Sequence, residues 1–331
     1  MRKLVAAAVV AAAIAMPAAA AGADEAAPKD VRIVNLNLLH GLFCPPETEA
    51  CQAEDRVALL MRQLEDADCP EVVGLQEINI VVDKELDKAV PKACDGKYSV
   101  AFRGEPGTSD TEQVLTTLPV RSKKILKLVG NFRQASRVVL ESDLGLVVVV
   151  VTHQDGDPEG GPSGEPCKRC PPPCKQAQAG VFECQTVAAA ALADEVGGAK
   201  ALRVLMGDFN VTPTSARYEG LLADGWIDTH VEAGNSECDP ATSASCTAGR
   251  DDESIESLKD PSIRQRERID FIFVKVPERC DLAVDDPTDA DGDGLGTGVW
   301  HGEPTTDGPG GIVWTSDHTG TSADVSCGGK K

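Results

Sequence analysis

The apolar positions fall into short blocks spaced for an alternating β/α chain. Residues 31–39 alternate apolar and polar side chains as a half-covered strand does, which sets Ile33, Asn35 and Asn37 on one face. Over residues 55–64 the period becomes that of an amphipathic helix, with Val57, Leu60, Met61 and Leu64 on one side. Residues 72–78 predict a second strand that delivers Gln76 and Glu77 to its carboxyl end, and charged, helix-compatible sequence follows to about Lys92. Residues 98–102, 112–118, 136–140 and 146–151 predict further strands. The last, L-V-V-V-V-V, does not alternate, as befits a strand covered on both faces. Residues 181–196 and 216–223 predict helices, and 268–276 another strand. Short apolar segments at 311–314 and 320–325 flank Thr315-Ser316-Asp317-His318. The intervening 154–178 (Gly/Pro/Cys), 239–261 (polar, acidic) and 281–311 (acidic, Gly-rich) read as loop insertions on one domain spanning 24–331.

The segment V-L-M-G-D-F-N-V-T-P at 204–213 is central. Val204 to Met206 form a buried strand, and Gly207 removes the side chain where another backbone or a ligand comes close. In an extended chain Asp208 and Asn210 share a face while Phe209 turns into the core. Taken alone, this is also an ordinary Asx-rich turn after a core strand. Other strand ends carry Asn37, Glu77 and His153, and later segments carry Asp270 and Asp317-His318. Singly, an Asn here is usually a turn donor, a Glu solvated and a His merely packed. Asp270, between Ile269 and Phe271, is different, because a carboxylate inside an apolar strand needs a partner and a histidine is a natural one. As a set they have a chemical logic. Glu77, Asn37 and Asp317 supply oxygen ligands for a divalent cation. Two histidines, each oriented by an acid, handle the protons of the attacking water and the leaving oxygen, and Asn210 donates to the developing phosphorane charge. This is the equipment of phosphodiester hydrolysis.

Composition changes the picture in three ways. Arg2 and Lys3 precede an Ala-rich apolar run to Ala21 and a small-residue stretch, the order of a secretory signal peptide. Cleavage is expected after Ala23, with Ala21 as the alternative site and an uncleaved anchor as the alternative reading. Export makes the twelve cysteines a disulfide framework. Proximity suggests Cys44–Cys51, Cys238–Cys246 and pairs within Cys167, Cys170, Cys174 and Cys184, against a zinc knuckle built on Cys167, Cys170 and Cys174. Removing the signal leaves 30 basic against 53 acidic residues, a net charge of −23. Such a chain repels polyanions at long range, which disfavours tight processive nucleic-acid binding but permits weak, metal-assisted capture of a phosphate. No later segment is apolar enough to span a bilayer, so no stable membrane association is expected; a monomer is expected.

The motifs N-L-N at Asn35–Asn37, L-Q-E at Leu75–Glu77, T-H at Thr152–His153, G-D-F-N at Gly207–Asn210, R-I-D-F-I-F at Arg268–Phe273 and S-D-H at Ser316–His318 stand in one order along nearly the whole mature chain. In this the sequence resembles the endonuclease/exonuclease/phosphatase superfamily, which includes deoxyribonuclease I-like nucleases, bacterial sphingomyelinases and inositol polyphosphate 5-phosphatases. The resemblance implies an α/β fold, a four-layer α/β/β/α sandwich with the site at one edge. It implies Mg²⁺ or Mn²⁺ held by Glu77, with Asn37 and Asp317 beside it. His153 and His318 match the two catalytic histidines, Asp270 the acid that orients the second, and Asp208 the residue that aligns or deprotonates the nucleophilic water. Asn210 matches the phosphate-stabilising amide, and Glu112 falls near the glutamate that orients the first histidine. Arg137 or Arg133 is placed to touch phosphate. The chain departs from the pattern at Thr111 to Gln113, where T-E-Q replaces G-N-A/G, and at Gln154-Asp155, where a leucine is common. Scarce aromatics leave no obvious stacking platform for bases. Asp289-x-Asp291-x-Asp293-Gly294 resembles the start of a structural Ca²⁺ loop, although Trp300 stands where its closing glutamate belongs. The expected activity is a secreted, metal-dependent phosphodiesterase, foremost a nuclease on DNA or RNA. A hydrolase of lipid headgroups or inositol phosphates is the rival, and a non-catalytic binding module a more distant one.

Overall fold

The computed structural model describes residues 30–42, 44–104, 111–130, 133–156, 167, 170–177, 179–250, 254–277, 280–286 and 295–329. The segment read as a signal peptide and the 289–294 loop read as a calcium site lie outside these residues. In chain order the strands are β1 (Asp30–Asn37), β2 (Val72–Gln76), β3 (Ser99–Arg103), β4 (Gln113–Thr116), β5 (Val120–Lys127), β6 (Gln134–Ser142) and β7 (Gly145–His153). They continue with β8 (Leu202–Asp208), β9 (Ile227–Asp228), β10 (Asp270–Lys275), β11 (Cys280–Val284), β12 (Gly298–Trp300) and β13 (Gly320–Gly329). The helices are α1 (Glu49–Asp66), α2 (Ile80–Ala89), α3 (Pro172–Gln176), α4 (Val181–Asp194), α5 (Ala216–Ala223), α6 (Thr229–Glu232) and α7 (Ile255–Lys259).

Strand β7 shows how the layers arise. Val148 and Val150 pack under α4, whereas Val147, Val149 and Val151 meet the other sheet, so the uniform valine run is buried twice. One sheet has the order β11-β13-β1-β2-β4-β3, with β12 also paired to β13; the other has the order β5-β6-β7-β8-β10-β9. Helices α1 and α2 cover the first sheet through Val57, Leu60, Leu64, Val82 and Leu86. Helices α4 and α5 cover the second through Ala189, Leu192 and Leu221. The result is the four-layer α/β/β/α sandwich. Where the sheets face each other, a Cβ on Gly74 would run into Met206 and Val151, so the absent side chain sets the local approach.

Two differences from the sequence reading are instructive, while the disulfides suggested by proximity all form. Strand β5, V-R-S-K-K-I-L-K, has no apolar alternation because it is a sheet edge exposed along most of its length. The insertion at 281–311 contributes β11 and β12, both paired to β13, and the loop at 239–261 contains α7. All twelve cysteines are in disulfides: Cys44–Cys51, Cys69–Cys94, Cys167–Cys170, Cys174–Cys184, Cys238–Cys246 and Cys280–Cys327. The zinc-knuckle alternative therefore fails, since the sulfurs of Cys167, Cys170 and Cys174 are spent in bonds and carry no thiolate for a metal. No helix among the described residues is long and apolar enough to cross a membrane.

Candidate active site

Strand register assembles the site. Parallel pairing of β7 with β8 sets His153 opposite Asp208, and antiparallel pairing of β10 with β8 sets Asp270 opposite the same residue. In the facing sheet, β1 and β2 end together at Asn37 and Gln76, which leaves Glu77 just beyond the strand. Asn37 joins the sheets: its Nδ2 donates to Glu77 Oε1 at 3.0 Å and to Asp208 Oδ2 at 3.1 Å. Its Oδ1 accepts from the backbone N–H of Leu39. Glu77 (φ +60°) and Asn210 (φ +52°) both hold left-handed backbone that non-glycine residues seldom adopt. Strain of this kind gathers where side chains must be aimed rather than packed.

Asp208 is the hub. Its Oδ1 accepts from Asn210 N–H at 2.8 Å, and its Oδ2 lies 3.4 Å from His153 Nε2 and 4.0 Å from His318 Nε2. His318 Nδ1 donates to Asp270 Oδ2 at 2.9 Å. Burial pulls the His318 imidazole down, but Asp270, then Asp317 and Asp208, outweigh it and hold the ring well above its ordinary value. Burial pushes the Asp270 carboxyl up to about 6, with Asp208 adding to the push and His318 opposing it. With three carboxylates around one imidazole, the proton belongs on His318. At Glu77, burial would raise the carboxyl. Electrostatic interaction with His153 and His40, with hydrogen bonds from Asn37 Nδ2 and the His40 N–H, more than offsets that and brings it below its usual value.

His153 departs from expectation. Nη1 of Arg133 lies 2.8 Å from its Nδ1, and a guanidinium can only donate, so Nδ1 accepts. Asn210 Nδ2 stands 3.0 Å from Nε2. A cation rather than an acid thus meets the outer nitrogen, and Arg133 is held in turn by Asp155 at 2.8 Å. Glu112 is buried at the start of β4, beside Thr111, whose backbone N–H and carbonyl both pair with Ile78. Arg137 is not at the site. It donates to Glu195 at 2.7 Å and to the carbonyl of Leu192, at the end of α4.

Asp317 accepts from Ser316 Oγ at 2.9 Å and acts electrostatically on His318, Arg56 and Arg250. Arg56 was not anticipated. Its guanidinium donates to the carbonyls of Leu38, Leu39, Ala50 and Cys51, which ties the chain beyond β1 to α1 beneath Glu77 and Asp317. Burial draws it down to about 10 against the pull of those two acids. An arginine on the apolar stripe of a helix was the available signal. His40, whose Nε2 is 3.7 Å from Glu77 Oε2, had no signal beyond its closeness to Asn37 in sequence.

The donor set fits a hard divalent cation. Glu77 and Asp317 offer carboxylate oxygens, and Glu77 is kept ionised; Asn37 turns Nδ2 toward Glu77 and its oxygen toward Leu39 N–H, so its amide would have to flip to serve as a third ligand. A second grouping, Asp208, Asp270 and His318, also brings ligand atoms within 4.8 Å of one another. It fits a cation less well, because a protonated imidazole bound to a carboxylate has no lone pair to offer.

Comparison with known proteins bears on the family and the fold. No curated protein sequence matches the chain closely. Among solved structures, an endonuclease/exonuclease/phosphatase family protein from Bacteroides thetaiotaomicron aligns with TM-score 0.61 at 16% identity, covering 90% of this chain and 98% of that one. D. rerio TDP2 complexed with a single-strand DNA product aligns with TM-score 0.59 at 16% identity, covering 89% and 98%. The human Nocturnin catalytic domain with bound sulfate aligns with TM-score 0.54 at 17% identity, covering 90% and 95%. At these identities the likeness shows the fold. The sequence profile of the Endonuclease/Exonuclease/phosphatase family matches residues 34–318, from β1 to His318. The chain belongs to the Endonuclease/Exonuclease/phosphatase family, metal-dependent hydrolases of phosphoric esters.

Proposed function

We propose that this protein is a Mg²⁺- or Mn²⁺-dependent phosphodiesterase that cleaves nucleic acid, with His153, Asp208, Asn210, Asp270 and His318 carrying the chemistry. The observation that carries the reading is the placement of Asp208 Oδ2 at 3.4 and 4.0 Å from the Nε2 atoms of both histidines. Asp208 is positioned to align the attacking water and take its proton. His318, held cationic by Asp270, offers Nε2–H to the phosphorane or to the leaving oxygen. His153, which accepts from Arg133 at Nδ1, sets its Nε2 3.0 Å from the amide nitrogen of Asn210 and 3.4 Å from Asp208, and so positions that amide beside the reacting phosphate. Glu77, Asp317 and Asn37 are the residues that would hold the cation, which neutralises charge on a phosphoryl oxygen when bound. The nucleic-acid preference draws support from the DNA product bound to D. rerio TDP2. Six disulfides and the Ala-rich N-terminal segment support work in an oxidising, extracytoplasmic compartment.

The test is a substrate panel of plasmid, RNA, sphingomyelin, inositol phosphates and an aryl phosphodiester, with and without EDTA. His153→Ala and His318→Ala should each abolish hydrolysis while circular dichroism stays unchanged. Wild-type turnover by both variants on every phosphodiester would refute the assignment.

A further inference from the structure

The chain carries 32 basic and 53 acidic residues, yet residues 113–140 contain six Lys and Arg and no Asp or Glu. The fold gathers this run at one place. Arg121, Lys123, Lys124 and Lys127 lie on β5, the exposed edge of the second sheet, and the turn after it leads to Arg133 at His153. Register decides where each cation points. Lys124 shares a face with Arg137, on the side of α4, and both pair with Glu195. Lys123 and Lys127 take the opposite face, opposite Val138 and Gln134. Arg121 falls at the register shift between Val120 and Ser122, where it makes an exposed pair with Glu141 at 3.4 Å. The Lys127 end is the active-site end, since its partner Gln134 accepts through its carbonyl from Thr152 Oγ1, next to His153. A cationic strip about 20 Å long therefore starts at the rim of the site and runs down the sheet edge.

We propose that the β5 edge is the track for the polynucleotide flanking the scissile bond, an extended single strand whose phosphates lie along Lys127, Lys123 and Arg121. The proposal rests on the hydrolase reading above and names its substrate class. Lys127 and Lys123 stand about 13 Å apart along the strand and Lys123 and Arg121 about 7 Å, intervals that suit two phosphate steps and one step of an extended single strand. With no aromatic residue on β5, recognition is by charge alone, indifferent to base and strongly dependent on salt. Lysines also guard sheet edges against pairing with another chain, and that role predicts different behaviour.

The test compares the full chain with the triple variant Arg121→Gln, Lys123→Gln, Lys127→Gln. Hydrolysis of single-stranded oligonucleotides of increasing length is set against bis(p-nitrophenyl) phosphate. Anisotropy measures oligonucleotide binding in EDTA, with both proteins also carrying His318→Ala. Each lost contact should lower the slope of log K against log salt by about 0.7, roughly a 2.6-fold effect between 50 and 200 mM salt. The triple variant should thus lose a slope of about 2 and its preference for longer strands, with aryl diester hydrolysis unchanged. Unaltered length and salt dependence would overturn the track, and self-association with unaltered kinetics would leave the lysines as edge guards only. An intact protein that hydrolyses no phosphodiester at all would instead remove the hydrolase reading, and this proposal with it.

Discussion

Replacing Asp270 with asparagine isolates one charge while keeping its shape. Asp270 Oδ2 lies 2.9 Å from His318 Nδ1, and the carboxylate is fully buried. The two charge centres are then about 4 Å apart, worth roughly 4 kcal/mol at an effective dielectric of about 20. Lost entirely from the transition state, that is about a thousandfold in rate. Asp208 and Asp317 still act on the imidazole, so a fall in kcat of about 10²–10³ is expected. Stability should suffer less. Breaking a buried pair usually costs about 3–5 kcal/mol, but here the change also relieves the repulsion between Asp270 and Asp208. A loss of about 1–2 kcal/mol in urea titration is expected instead. The sign on pH follows directly. Asp270 favours the imidazolium, so removing it lowers the His318 pKa, and the limb of kcat/KM that reports its deprotonation moves to lower pH. Rates on an aryl phosphodiester at saturating Mg²⁺, from pH 5 to 9, would read it. A variant within fivefold of the parent whose pH limb has not moved would show that His318 and Asp270 do not act as a catalytic pair.

A Cβ on Gly207 would overlap the carbonyl oxygen of Thr152, and its φ of +149° disfavours any side chain. Gly207→Ala should cost more than about 4 kcal/mol by forcing β7 and β8 apart, and a denaturation midpoint equal to the parent's would contradict that. The Glu77 carboxyl is depressed in the folded chain, so it contributes stability that is present above its unfolded value and lost as pH falls through the folded one. In EDTA, Glu77→Gln should therefore flatten the stability curve below about pH 4.5, and an identical acid limb in both proteins would count against the network of Asn37, His40 and His153.

Part of this was legible because it is local. The doubly buried valine run needs only the absence of alternation, and Gly207 before Asp208 needs only a strand about to meet another backbone. Both are statements about near neighbours in the chain. Strand β5 was missed for the complementary reason. An edge strand keeps its side chains in water, so no periodic burial writes itself into V-R-S-K-K-I-L-K. Arg56 was overlooked because its partners are carbonyls, and backbone acceptors leave no mark in a sequence.

The residue types and the order of the polar strand ends, and hence the hydrolytic chemistry they serve, are properties of the sequence by itself. Alternation and glycine placement decide which residues reach a strand mouth whatever else the chain does. That a cation meets Nδ1 of one histidine while an acid meets Nδ1 of the other, and that Asp208 reaches Nε2 of both, only the tertiary structure decided. Those outcomes depend on the register of β6, β7, β8 and β10 and on the closeness of two sheets. Such distances arise between residues far apart in the chain and are fixed by packing, to which no short stretch of sequence is sensitive.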